Sequence, residues 1–165
     1  MAISTNGEVY AWGYNFKGEL GNGTFNNDST VPIKITSLSH VKEIACGYYL
    51  SMFLKEDGTV YACGENEFPG RLGDGTEINR YTPVQVLGLS DVLCIRASDY
   101  KRMALTRNGD VWVWGCTEAT YVDEGYPYYS TEESIVPIKM TGISRVKDIA
   151  CSSFYILVIR DLIYN

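Results

Sequence analysis

Histidine is nearly missing from this chain. The single copy among 165 residues, His40, stands beside Ser39 in what reads as a turn between strands. A Ser or Cys nucleophile using this base would also need an orienting Asp, and the repeat pattern described below places none there. His40 reads as a solvated turn residue, and no catalytic residue is expected. Close cysteine pairs are missing too. The five cysteines, Cys46, Cys63, Cys94, Cys116 and Cys151, are odd in number and widely spaced, so no metal site is expected. Runs of Lys or Arg are lacking and the formal net charge is −6. Such a chain has no electrostatic footprint for a phosphate backbone, so nucleic acid is not an expected partner. No apolar stretch is long enough to cross a bilayer, and the first residues form no signal peptide, so a soluble segment without a membrane partner is expected. The marks of disorder are also lacking, with hydrophobic residues at 45% and charged residues at 21%.

What the chain does have is repetition. Val-Tyr-Ala-Trp-Gly (Val9 to Gly13) returns as Val-Tyr-Ala-Cys-Gly (Val60 to Gly64) and as Val-Trp-Val-Trp-Gly (Val111 to Gly115), a period of 51 residues. Each copy follows an Asn-Gly or Asp-Gly turn, at Gly7, Gly58 and Gly109. A second marker, Val-Pro-Ile-Lys-Ile (Val31 to Ile35), returns at Pro83 and Pro137. A third, Ile-Ala-Cys-Gly (Ile44 to Gly47), returns around Ile95 and at Ile149 to Ser152. Regular repetition with turn signals predicts units that bury their apolar faces on one another. That favours a binding scaffold over an enzyme with one dedicated pocket. Cys46 and Cys151 share one repeat position, where the middle copy has Ala97, and Cys63 replaces a Trp. The cysteines therefore read as buried free thiols at packing positions. Gly21, Gly23, Gly73 and Gly75 are followed by no Lys-Ser/Thr pair, so no phosphate loop and no cofactor is expected.

Helical spacing is weak, and short β-branched or aromatic segments alternate with turns, which predicts an all-β fold. One unit reads as four strands: Pro32 to Ile35, Val41 to Cys46, Ser51 to Lys55 and Thr59 to Cys63. Asp57-Gly58 is a strong hairpin signal between the last two. Four short antiparallel strands in a unit of roughly fifty residues describe a β-propeller blade. About three blades are expected, with repeats near 2–53, 54–104 and 105–158, as a partial propeller or half of a dimeric ring. Trp12, Trp114, Ile44, Ile95 and Ile149 are expected in the core.

The ordered markers resemble the regulator of chromosome condensation repeat: Asp-Gly-x-Val-x-x-Trp-Gly, then x-Asn-x-x-Gly-x-Leu-Gly-x-Gly, then Pro and Ile-x-Cys-Gly. The first copy carries Trp12-Gly13-Tyr14-Asn15, Gly18-Glu19-Leu20-Gly21 and Gly23; the second carries Cys63-Gly64-Glu65-Asn66, Gly70-Arg71-Leu72-Gly73 and Gly75. The third copy lacks the Leu-Gly-x-Gly segment and has a Tyr-rich, acidic run from Thr117 to Ser134 instead. The family's His after the Cys-Gly turn is replaced by Leu50, Lys101 and Tyr155. The resemblance implies a propeller that binds proteins; members of the family include exchange factors for the small GTPase Ran and recognition domains of larger proteins.

Strand direction predicts which residues meet a partner. The three hairpin turns share one rim, so the Cys-Gly turns and Trp-Gly connections share the other. The expected partner-binding residues there are Tyr14, Asn15, Tyr48, Tyr49, Asn66, Asp99, Tyr100, Lys101, Phe154 and Tyr155. Phe16, Phe25, Phe68 and the tyrosines at 121, 126, 128 and 129 lie on the same rim. The leading expectation is a non-catalytic scaffold for an unidentified protein partner. The alternatives are guanine-nucleotide exchange on a small GTPase, and an assembly unit that forms a homodimer to complete a propeller.

Overall fold

The computed structural model describes residues 1–67, 70–116, 133–153 and 155–160. Among these residues the regular structure is all strand. The segments between glycine turns pair as antiparallel ladders. β1 (Ala2–Ile3), β2 (Val9–Gly13) and β3 (Ser29–Lys34) form a three-stranded sheet. β4 (Val41–Gly47), β5 (Leu50–Lys55), β6 (Val60–Gly64) and β7 (Arg80–Gln85) form the first complete blade in consecutive order. β8 (Val92–Ala97), β9 (Lys101–Thr106), β10 (Val111–Cys116) and β11 (Glu133–Lys139) form the second. β12 (Val146–Cys151) and β13 (Ile156–Arg160) make a final two-stranded sheet. Two complete blades thus stand between two partial ones, and the array is not closed. Inner strands β4, β8 and β12 are neighbours around the axis. Arg96 joins them there, 2.7 Å from Glu43 and 3.2 Å from Asp148.

The blade boundary differs from the sequence-based expectation. The Pro-containing strand does not open a unit; it closes the one before. β3 pairs with β2 (Tyr10 with Lys34, Ala11 with Ile33), and β7 pairs with β6 (Tyr61 with Gln85, Ala62 with Val84). Proline lacks an N–H and is tolerated at a sheet edge. Pro32, Pro83 and Pro137 all lie in these outermost strands.

Three cores fill the gaps between successive sheets. Side chains alternate along a strand, and the second strand of each complete blade, β5 or β9, is covered on both faces. On β5, Phe53 faces the core shared with the first sheet, while Met52 and Leu54 face the core shared with the next blade. On β9, Ala104 faces back to that same core, and Met103 and Leu105 face the last sheet.

Two contacts recur from each sheet to its successor. The hairpin turn receives the next inner strand: Val41, Val92 and Val146 donate their N–H to the carbonyls of Gly7, Gly58 and Gly109 at 3.1, 3.2 and 3.3 Å. The Leu-Gly connection lies over the next blade. A Cβ at Gly21 would stand 2.9 Å from Cys63 Sγ, and one at Gly73 would stand 2.8 Å from Trp114 Nε1. Leu20 and Leu72 are buried in the same seams.

These contacts sort the expected core. Trp114, Ile95 and Ile149 are buried, but Ile44 is only half-buried and Trp12 is 40% exposed. The other residues at Trp12's repeat position, Cys63 and Trp114, are covered by the preceding connection at Gly21 and Gly73. The thiols divide similarly. Cys63 is buried, which pushes its thiol well above the ordinary range, and Cys94 and Cys151 are half-buried. Cys46 corrects the reading of the cysteines as buried: it is exposed, at the end of β4 beside an open cavity.

Candidate functional site

The rim opposite the hairpin turns is built on two asparagines. Asn15 Oδ1 accepts from the N–H of Leu20 at 3.0 Å, and its Nδ2 donates to the Thr24 and Asn27 carbonyls at 3.2 and 3.3 Å. Asn66 repeats the device, accepting from Leu72 N–H at 2.8 Å and donating to the Thr76 carbonyl and Asp74 at 2.9 and 3.0 Å. Burial pushes the Asp74 carboxyl up, but hydrogen bonds from Thr76, Arg80 and Asn66 outweigh it and hold the group below its ordinary range. Asn15 and Asn66 are both 0% exposed. This corrects their expected place on the surface: a Gly-rich connection leaves backbone groups to satisfy, and a short amide satisfies several at once. Lys101 also departs from expectation. It opens β9 at the position of buried Leu50 and is itself buried.

With Asn15 turned inward, its neighbours Tyr14 and Phe16 turn outward. They meet Tyr49, which takes a left-handed backbone conformation (φ 55°) in the tight turn between β4 and β5. Tyr14, Phe16 and Tyr49 form a triangle with ring centroids 6.1 Å apart on each side, and Tyr48 adds a fourth ring 4.1 Å from Tyr49. Tyr14, Phe16 and Tyr48 nevertheless remain exposed.

Charged groups extend the cluster across the blades. Lys17 Nζ lies 2.9 Å from Glu67 and 3.6 Å from Glu65, and Glu65 pairs in turn with Arg71. The Arg71 guanidinium sits 5.6 Å from the ring centre of exposed Tyr100. Asp99, also exposed, accepts from Ser153 Oγ at 2.6 Å and links the turns of the last two sheets. Tyr155 is exposed further along the rim. The expected contacts at Phe154, at Phe68 and at the tyrosines 121, 126, 128 and 129 lie outside the described residues.

Sequence reasoning missed a cavity of about 280 Å³ beside the aromatic triangle, whose lining includes Met1, Trp12, Glu19, Cys46, Tyr48 and Tyr49.

Residues 6–54 and 57–105 match the regulator of chromosome condensation (RCC1) repeat, and a second description of that repeat matches residues 41–68. The E3 ubiquitin-protein ligase HERC2 of Homo sapiens is 36% identical over 130 residues, which cover 70% of this chain and 2% of HERC2. The ultraviolet-B receptor UVR8 of Arabidopsis thaliana is 32% identical over 119 residues, covering 70% of this chain and 27% of UVR8. The chain therefore spans only a small part of these relatives. Human WBSCR16 superposes with a TM-score of 0.77 at 23% identity, covering 95% of this chain and 41% of WBSCR16. Prp20p of Saccharomyces cerevisiae, studied for its binding to Gsp1p and histones, gives 0.70 at 23% identity over 93% of this chain and 39% of Prp20p. At those identities the two structures bear on the fold alone. The two matched repeats cover more than half of the sequence, and with the blades that carry them they make this chain a member of the RCC1-repeat family.

Proposed function

We propose that this chain is a non-catalytic scaffold that binds a protein partner through its aromatic rim. Tyr14, Phe16, Tyr48 and Tyr49 form the centre, and Asp99, Tyr100 and Tyr155 extend it. One observation carries the reading: these rings pack on one another and yet stay accessible, on loops stapled from beneath by Asn15 and Asn66. Such rings are already ordered, so contact costs little conformational entropy and each Tyr keeps a polar tip. The binding of Prp20p to Gsp1p and histones supports a protein as the class of partner. The test is capture of purified candidate partners by wild type and by a Tyr14→Ala/Tyr48→Ala/Tyr100→Ala variant. A Glu56→Ala variant on the opposite rim serves as control. Loss of capture in the triple variant alone is expected, and unchanged capture would sink the assignment of this face. Guanine-nucleotide exchange is a weaker reading, and no acceleration of nucleotide release from a small GTPase is expected.

A second reading, self-association, rests on the two ends of the array. Leu157 and Ile159 are exposed on β13, whose outer edge pairs with no strand among the described residues, and Trp12 and Val31 are exposed on the first sheet. In a two-fold pair, β12 and β13 of one copy would complete β2 and β3 of the other. β1 would have to give way; it is two residues long, pairs Ala2–Tyr10 and Ile3–Val9, and packs Ile3 on the first core.

A further inference from the structure

We propose that the segment this rim receives is basic: a stretch of the protein partner with several Arg or Lys side chains, laid over the turns and connections of the two complete blades. The inference rests on the aromatic rim being the partner-binding face and adds the chemistry of what lies on it. Exposed rings alone do not select a partner; the charges between them do. The rim's own cations are already engaged. Lys17 stands between Glu65 and Glu67, Arg71 pairs with Glu65, and Arg80 lies 2.8 Å from Asp74. Lys101 is buried. None of these is left for a phosphate or an acidic side chain. Carboxylates, by contrast, are in surplus. Asp28, Glu77 and Asp99 are exposed, and no Lys or Arg pairs with their carboxylates among the described residues. Asp99 accepts from Ser153 through one oxygen, and the buried Arg102 beneath it reaches only its backbone carbonyl, at 3.4 Å.

Further observations point the same way. Where a cation meets a ring on this rim, a carboxylate holds it there. Lys17 Nζ lies 5.8 Å from the centre of Phe16 and 2.9 Å from Glu67; Arg71 lies 5.6 Å from the centre of Tyr100 and pairs with Glu65. Rings interleaved with carboxylates suit Arg and Lys, which lay their stems on apolar surface and keep the charge at an anion. The local field is negative as well. After its hydrogen bond with Tyr49, the carboxylates of Glu65 and Asp99 help hold the Tyr48 hydroxyl above its ordinary range. The hairpin rim has no such surplus, since exposed Arg107 and Arg145 there are matched by exposed Glu56 and Asp91. The three unpaired carboxylates come from three different loops, after β2, β6 and β8. One small cation cannot meet them all, and an extended segment can.

The experiment follows short dye-labelled peptides of equal length on the full chain by fluorescence anisotropy: alternating Arg-Ser, Gln-Ser and Glu-Ser. The Arg-Ser peptide should bind more tightly than the other two, and its affinity should fall as salt is raised. Glu77→Gln/Asp99→Asn keeps the hydrogen-bonding atoms, removes both charges and should weaken that binding about tenfold. Glu56→Gln/Asp91→Asn removes the same charge from the hairpin rim and should leave the affinity within about twofold. An unchanged melting temperature in both variants excludes misfolding as the cause. Equal loss in the two variants would show attraction by net charge alone and overturn the proposal. So would a preference for the Glu-Ser peptide. So would failure of all three peptides to bind, including the case in which a second copy of the chain covers the rim and dilution alone shifts the Tyr100 NMR signals. If the triple Tyr variant loses its captured partner while Glu77→Gln/Asp99→Asn keeps it, the scaffold reading stands and the basic segment falls. If the carboxylates govern peptide binding while partner capture is insensitive to the Tyr variant, the reverse holds.

Discussion

Trp12 and Trp114 hold the same repeat position and meet opposite fates. Trp114 is fully buried against Gly73 and Val86, while Trp12 keeps 40% of its surface in solvent. Trp114→Ala should therefore cost about 3–5 kcal/mol in urea unfolding, by lost transfer energy plus a cavity. Trp12→Ala should cost less than half as much. Equal costs would mean that the seams are not what stabilises the fold. Arg102 poses the opposite problem. It is fully buried, and its Nε and Nη2 find no hydrogen-bond partner among the described residues. Burial, with Arg71 nearby, brings its pKa down to about 9. A base whose folded pKa is depressed binds fewer protons in the folded state than in the unfolded one once the pH passes the folded value. Its penalty is thus fully present below about pH 9 and is relieved as the pH rises above it. Arg102→Met should stabilise the chain at pH 7 by on the order of 1–4 kcal/mol, and the gain should shrink above pH 9. A loss of stability at pH 7 would show that a counter-charge holds the guanidinium. Sequence alone could not flag this residue, because burial of a charge depends on which strand ends up in the middle of a sheet.

Within the elements, the hairpins and the connections carry the register. Gly58 adopts φ +81°, and a Cβ there would stand 3.1 Å from the backbone of Asp91 at the start of the next blade. Gly58→Ala should destabilise the chain, and hydrogen exchange should show the loosening at Val92 as well as at the turn itself. Protection at Val92 equal to wild type would deny that the turn holds the following strand. The strands and the hairpins were legible in the sequence because Asn-Gly and Asp-Gly turns and period-two apolar positions are local signals. The blade boundary was not. Whether a Pro strand joins the ladder before it or after it depends on how the long connection folds back over the rim. Asn15 and Asn66 were misplaced for a related reason. A polar residue in a loop reads as a surface residue until the carbonyls it must satisfy are known. Tyr48 and Tyr100 were expected outward because short turns leave large rings little room to fold back, and both are exposed, whereas Tyr49 beside Tyr48 is half-buried.

For the whole molecule, the test is mass. Light scattering of the purified chain should report a two-fold pair, with Leu157, Ile159 and Trp12 withdrawn from solvent. A well-behaved monomer at high concentration would rule the ring out. The array also has a direction. Each hairpin carbonyl and each Leu-Gly connection reaches forward, so that every blade is seated on residues earlier in the sequence than its own. On a ribosome the platform for each new blade has already emerged when its strands appear, and construction can proceed in step with translation. A nascent chain arrested with all residues up to Gln85 outside the ribosome should already protect the amides of β4 to β6, whereas the same strands produced without residues 1–35 would emerge with nothing to settle on.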